Sequence, residues 1–368
     1  MIDSLTKNAD NPTDPQLEAD APASPPRAAS TGAGRRLARR MADSPEIGII
    51  IALIIAFVVF TLKNPLFASV SDLQSPLGVD LAGFGILAIG ESFAIITGGI
   101  DLSVGSLVAF FCVFSAWLNV TAGIPVVFTF ILTVAFGALW GLWHGLLITR
   151  LGVAPFVVTL VTFIFAAGAD EAIAPNPISI SSGTFLAVAS SKVLDIPIAV
   201  IAFVIIGVVA WIFLERTYMG RQLYAVGGNR EAARLAGIRI DRRVIMAYMV
   251  SGACAAVVGL IEASRLTSGT ADSVSGWELI AIASCVIGGV SLVGGQGRVI
   301  GVVAGAALLV VLRDGLVAVN VNAYYQSMVV GLVLLIAIVI DRLRVRRLES
   351  SARRAIRPDR DPEPGPVS

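Results

Sequence analysis

Charge is scarce in this sequence. Asp, Glu, Lys and Arg make up 14% of its 368 residues against 56% hydrophobic, and the mean hydropathy is +0.84. That balance excludes an ordinary soluble domain, in which about a quarter of the residues are charged. Cysteine is nearly absent, and Cys112, Cys254 and Cys285 lie in apolar runs without metal-ligand spacing, as small core residues would. The single histidine, His144, stands beside Trp140 and Trp143 and is read as a packed polar residue rather than a proton relay. The sequence has no His-Glu-x-x-His, no Gly-x-Ser-x-Gly elbow, no Walker A segment, and no carboxylate pair with a nearby histidine. Gly294, Gly295 and Gly297 form a glycine-rich patch, but Arg298 follows where a phosphate loop needs Lys and Ser. No catalytic residue, metal site or bound cofactor is expected, and any ATP that drives the protein must bind elsewhere.

What is present is apolar sequence, almost without pause from Ile47 to Ile340. It divides into ten runs, each near the ~20 residues that cross a bilayer core: Ile47–Leu62, Leu77–Thr97, Leu102–Leu118, Ile124–Ile148, Phe156–Ala174, Ile196–Leu214, Val244–Ala263, Leu279–Val293, Val299–Val319 and Tyr324–Ile340. The expected fold is all-α, a polytopic integral membrane protein of about ten transmembrane helices with broken or re-entrant segments, occupying residues 46–341. Residues 1–45 are rich in Asp, Ala, Pro and Ser with few large apolar side chains and are expected to be a disordered tail. They show no cleavable signal. Residues 342–368 read as a second, basic tail.

Net charge, +1, says little, but its distribution is informative. Arg35, Arg36, Arg39 and Arg40 precede the first run; Arg342, Arg344, Arg346 and Arg347 follow the last; Arg216, Arg221, Arg230, Arg234, Arg239, Arg242 and Arg243 fill the loop after the sixth. Short loops rich in Arg and Lys stay cytoplasmic, which places both termini and this loop inside. That requires even numbers of spans, and ten and six satisfy it. The opposite loops hold only Lys63, Lys192 and Arg265 among basic residues.

Two segments interrupt the apolar pattern. The first is Ile95–Ser106, which puts a carboxylate and several glycines between hydrophobic runs. Irregular backbone at membrane depth must be buried in protein or line a wet cavity, and broken helices lie along transport paths. Gly98 and Gly99 are expected to end one helix, and Asp101 or Ser103 to cap the next, with Gly105 in its first turn. A short internal match aligns Gly98-Gly-Ile-Asp-Leu with Gly288-Gly-Val-Ser-Leu, pairing Asp101 with a capping Ser291 and drawing Gly288 and Gly289 into the same path. The second segment is Tyr218–Asp241. Gly227 and Gly228 are expected to break the chain, Asn229 to cap a short helix starting at Arg230, Glu231 to sit in its first turn, and Gly237 to end it. Ala232, Ala233 and Leu235 would leave a small apolar face suited to a partner's groove. Ionisable groups in or near the runs (Asp80, Glu91, Asp170, Glu171, Glu262, Asp314) form no evident relay, so a proton- or sodium-coupled secondary transporter is the alternative.

Gly99-Ile-Asp-Leu-Ser-Val-Gly105, Gly227-Gly-Asn-Arg-Glu-Ala-Ala-Arg-Leu-Ala-Gly237 and Val286-Ile-Gly-Gly-Val-Ser-Leu-Val-Gly-Gly295 together identify a resemblance. With the span count, the chain resembles the permease subunits of ribose-type ABC importers from Ile47 to Asp341, a monosaccharide branch related to branched-chain amino-acid permeases. The resemblance implies a bacterial inner-membrane permease that translocates a ribose-like sugar, with a second permease copy, a cytoplasmic ATPase carrying ATP and Mg, and an extracytoplasmic sugar-binding protein. It implies that Glu231, Ala232, Ala233 and Gly237 dock on the ATPase, and it involves no nucleic acid. A branched-chain amino-acid permease is the nearest alternative within the class. The chain departs from the family's pattern after Phe156-Val-Val-Thr-Leu, where Phe163 to Glu171 brings in Asp170 and Glu171 ahead of Pro175 and Pro177.

Overall fold

A computed structural model describes residues 45–339 apart from 70, 72–75, 275, 323, 334 and 337. The tails assigned above to 1–45 and 342–368 lie outside the described residues, save Pro45. The helices in chain order are α1 (Pro45–Lys63), α2 (Pro76–Ile96), α3 (Val104–Ala116, continued by a π turn to Thr121), α4 (Val126–Arg150) and α5 (Pro155–Ile173). Then come α6 (Gly183–Ser190), α7 (Ile198–Arg216), α8 (Tyr218–Gly228), α9 (Arg230–Leu235), α10 (Ile240–Arg265), α11 (Trp277–Ile287) and α12 (Val299–Ala318). Residues 324–333, 335–336 and 338–339 are also helical. Seven described helices, α2 to α5, α7, α10 and α12, are long and apolar enough to cross a membrane, counting α3 with its π turn.

Every apolar run contains a helix, but the eighth is shorter than its hydropathy. Instead of reaching Val293, α11 stops at Ile287 after 11 residues, roughly 16 Å of helix and about half a bilayer core. Gly288 and Gly289 end it, and Val290, Leu292 and Val293 continue the apolar composition in an irregular segment. Sequence reading gave no sign of α6, of α8 as a helix, or of the two-stranded ladder pairing Ile178–Ser179 (β1) with Ser268–Gly269 (β4). Between them lies a hairpin of Lys192–Val193 (β2) and Ile196–Pro197 (β3), whose turn residues Leu194 and Asp195 both have positive φ.

Helices α2, α3 and α10 form the centre of the bundle. Ala82, Ile86, Leu87, Val104, Leu107, Phe111, Ala255 and Val258 are all fully buried. Helices α1, α4, α5 and α7 instead present apolar stripes outward, among them Ile55, Val58, Phe128, Leu139, Ile164 and Val208. Exposed stripes of this extent belong against lipid. The most extensive helix pairing among the described residues is α4 on α10. Gly137, Gly141 and Gly145 recur every fourth residue on α4, and a Cβ at any of them would overlap α10 backbone at Gly252, Tyr248 or Ile245. Small residues at this spacing let membrane helices approach backbone to backbone. At one end of the bundle, Asn64 Nδ2 donates to the Ala318 carbonyl at 3.0 Å, tying the ends of α1 and α12.

Candidate translocation and coupling site

The first break follows α2. Gly98 has φ +80, its N–H donates to Ile95 O (2.9 Å), and the Gly99 N–H donates to Ala94 O (3.1 Å), a left-handed helix end. Gly99 is required for space: a Cβ there would strike the Tyr248 hydroxyl. The chain then turns inward through fully buried Asp101 and Ser103. The N-cap of α3 is Ser103, but its side chain makes no capping bond. Its hydroxyl and its N–H both donate to Asp101 Oδ1, the latter at 3.1 Å. Asp101 therefore shapes the turn ahead of the helix instead of capping it, which corrects the expectation for this residue. Gly105, in the first turn, leaves room for the Glu278 carboxylate of α11.

Asp101 is also the hub of a buried polar cluster. Its Oδ2 accepts from the Ser251 hydroxyl at 2.9 Å and lies 3.9 Å from His144 Nδ1. Its N–H donates to Glu91 Oε1 at 3.0 Å, and His144 Nε2 meets Thr162 Oγ1 at 2.8 Å. Helices α2, α4, α5 and α10 are thus joined around one carboxylate. Glu91 Oε2 and the Tyr248 hydroxyl lack hydrogen-bond partners among the described residues. Sequence reading singled out Asp101 but gave no role to Tyr248 or Ser251. A second charged group ties Arg265 to Asp80 (2.7 Å) and Glu262 (2.9 Å).

The second break has the same beginning. Gly289 has φ +83, its N–H donates to Val286 O (3.0 Å), and the Val290 N–H donates to Cys285 O (2.9 Å). The structural partner of Gly98 is therefore Gly289, one residue on from the sequence match with Gly288. Gly288 instead packs against the backbone of Gly301 at the start of α12. Ser291 does not cap a helix, contrary to expectation. Its hydroxyl accepts from the Val293 N–H at 3.4 Å, and the N-cap of α12 is Arg298.

The arginine-rich segment meets both breaks. Gly227 and Gly228 do not break the chain; they form the last turn of α8. A Cβ on Gly227 would overlap Ile96 O and come within 2.6 Å of Gly295 N, while the Gly295 N–H donates to that same Ile96 O at 2.9 Å. The end of α2, the end of α8 and the 294–295 turn thus touch backbone to backbone. Arg230 Nη2 adds a bond to Thr97 O (3.3 Å), and the Tyr224 hydroxyl donates to Gly297 O (3.1 Å). Burial, then the neighbouring Glu215 carboxylate, push Tyr224 up to about 12, so it remains a donor at neutral pH.

Beyond this junction Asn229 caps α9 as expected, its Oδ1 accepting from the Ala232 N–H at 3.0 Å. Gly237, with φ +77, ends it. Glu231, Ala232 and Leu235 face outward, Leu235 at 86% exposure. Ala233 is corrected: it is buried in a small cluster with Val244 and Tyr248 and is not part of the outward face. At the start of α3, Ser106, Ala109, Phe163, Asp170 and Glu278 line a cavity of about 160 Å³, which gives the departure at Asp170 a place.

The family described as branched-chain amino acid transport system / permease component matches residues 79–338. The chain belongs to this permease family. The permease is 36% identical over 301 residues to the ribose import permease protein RbsC of Bacillus subtilis (strain 168), covering 81% of this chain and 92% of the relative. It is 33% identical over 321 residues to the galactose/methyl galactoside import permease protein MglC of Escherichia coli (strain K12), covering 82% and 95%. It is 34% identical over 259 residues to the D-allose transport system permease protein AlsC of the same organism, covering 70% and 79%. No solved structure matches the permease.

Proposed function

We propose that this chain is the membrane-spanning subunit of an ATP-driven ABC importer for a monosaccharide. It works as a pair of permease copies with a separate cytoplasmic ATPase, and an extracytoplasmic binding protein delivers the sugar. The observation that carries this reading is the outward-facing, capped helix α9, bonded by Arg230 to the first break and joined through the end of α8 to both. A self-contained secondary transporter has no need of such a helix. The names of the relatives, which are import permeases for ribose, galactose and allose, support a sugar over an amino acid. The arginine distribution supports cytoplasmic termini and an even number of crossings, which ten satisfies, and the family resemblance supports an inner membrane. The cavity at Phe163, Asp170 and Glu278 suits a polyol: carboxylates accept hydroxyl hydrogen bonds, and an aromatic face packs on C–H groups.

The test is uptake in proteoliposomes holding the permease, its ATPase and its binding protein. Labelled D-ribose, D-galactose or D-allose should accumulate only with ATP inside, and L-leucine should not. Glu231→Lys should weaken ATPase co-purification and uptake together while the permease stays folded. Leucine uptake, or sugar uptake driven by an ion gradient without ATP, would overturn the reading.

A further inference from the structure

The cytoplasm-facing end of the α4–α10 pair holds a concavity of about 380 Å³, lined by Arg150, Arg234, Arg239 and Arg242 with Asp241 as its lone carboxylate. The glycine-spaced contact of α4 with α10 forces this arrangement. Because Gly145 packs on the backbone of Ile245, the last residue of α4 and the first turn of α10 cannot separate. Four guanidinium groups then surround one hollow, and none of them has an ion-pair partner among the described residues. Like charges gathered at the edge of a low-dielectric slab are unfavourable without a counter-anion.

We propose that this hollow binds the phosphate headgroup of an anionic phospholipid. Arginine forks match phosphate oxygens two at a time, and basic pockets at the cytoplasmic ends of membrane helices suit such headgroups. Depth favours a lipid over a soluble anion or an acidic protein surface. Arg150 ends one apolar helix and Arg242 stands in the first turn of another, so the pocket lies where headgroups lie. The lining also runs straight into the bilayer-facing stripe of α4. Phe128, Leu132, Leu139, Trp143 and Arg150 share one helical face, and the four apolar members are exposed. An acyl chain can lie along that stripe while its phosphate sits among the arginines. Arg234 belongs to α9, so a bound lipid would brace the outward-facing helix against the end of α4. The inference rests on reading these helices as membrane spans but needs no particular transported substrate.

In the experiment, purified permease in detergent is titrated with dioleoyl-phosphatidylglycerol, dioleoyl-phosphatidylcholine or inorganic phosphate, and adducts are counted by native mass spectrometry. Phosphatidylglycerol should saturate at one tightly held molecule per chain. Arg150→Gln with Arg242→Gln should lower its occupancy about tenfold, the factor expected for one to two lost basic contacts at a membrane surface. The corresponding double Lys variant, which keeps the charge but not the fork, should retain clearly more than the Gln variant, separating charge from altered folding. Equal retention of the two lipids would mean an adventitious additive only and would overturn the proposal, as would equal loss in the Gln and Lys variants. Displacement by millimolar inorganic phosphate would reassign the pocket to a free anion. Loss of the lipid when the ATPase binds would reassign it to the protein interface.

Discussion

At Gly98 and at Gly289 a helix ends in the same left-handed turn, yet the chain after Gly98 re-enters a helix by Val104, while the chain after Gly289 stays irregular until Val299. The difference lies in what each break is anchored to. The first turns inward and is held by Asp101 among side chains of α2, α3 and α10, with His144 of α4 close by. The second is held through its own backbone, with Gly295 against Ile96 and Gly227 and the Gly297 carbonyl accepting from the Tyr224 hydroxyl. A shared helix end therefore does not imply a shared role. Both breaks touch the arginine-rich segment, but only the first also joins transmembrane helices through a buried side-chain cluster.

The backbone junction should be sensitive to a single methyl group. Gly227→Ala inserts a methyl group between two fixed main chains and should cost at least the ~1–3 kcal/mol of core overpacking, with loss of membrane abundance and uptake. Gly228→Ala, whose Cβ would meet only Gly295 Cα at 4.0 Å, should behave as wild type. Thermal unfolding in detergent and quantitative blotting read both, and similar behaviour of the pair would show that the close approach does not matter.

Next in size is the contact of Gly99 with Tyr248. Gly99→Ala should destabilise by ~1–3 kcal/mol. Tyr248→Phe should be near neutral because the hydroxyl it removes has no hydrogen-bond partner among the described residues. The double variant should recover most of the loss, and a double-mutant cycle without coupling would place the clash elsewhere.

A third contrast sets Asp101 against Ser291. Asp101→Leu leaves three buried donors unsatisfied at ~1–3 kcal/mol for each group. Asp101→Asn should fall between, since an amide can still accept from Ser103 but its NH₂ cannot accept from Ser251. Ser291→Ala, which loses one long turn bond, should cost under ~1 kcal/mol. Uptake corrected for membrane abundance ranks the three, and a Ser291 variant as damaging as Asp101→Leu would restore the symmetric view of the breaks.

Much of this architecture is legible in the sequence, and the misreadings share a cause. Continuous apolar runs mark the helices, and Asn229 and Gly237 mark the ends of α9, because span length and capping are local physics. The eighth run misleads because Val290, Leu292 and Val293 keep the hydropathy of a helix that Gly289 has already ended. The match of Gly98 with Gly288 fails by one residue because similar side chains outweigh the φ of a single glycine, which composition does not reveal. Asp101, His144, Tyr248 and Ser251 meet only through the packing of separate helices, and no spacing within one segment announces them. Gly227 reads as a chain break, yet its role is to let one backbone touch another. Arg230 reads as a surface charge, while its bond to Thr97 spans 133 positions.

The central claim is that the outward-facing helix, linked through the end of α8 to the second break, moves with that break as one unit. Spin labels at Leu235 and Val293, both exposed, in a permease with its native cysteines replaced and assembled with its ATPase, would measure it by electron–electron resonance. Rigid-body transmission predicts a single distance distribution that is unchanged between nucleotide-free, ATP-bound and ADP-bound states. A distribution that shifts or splits when ATP binds would mean the two move independently, and would contradict the account.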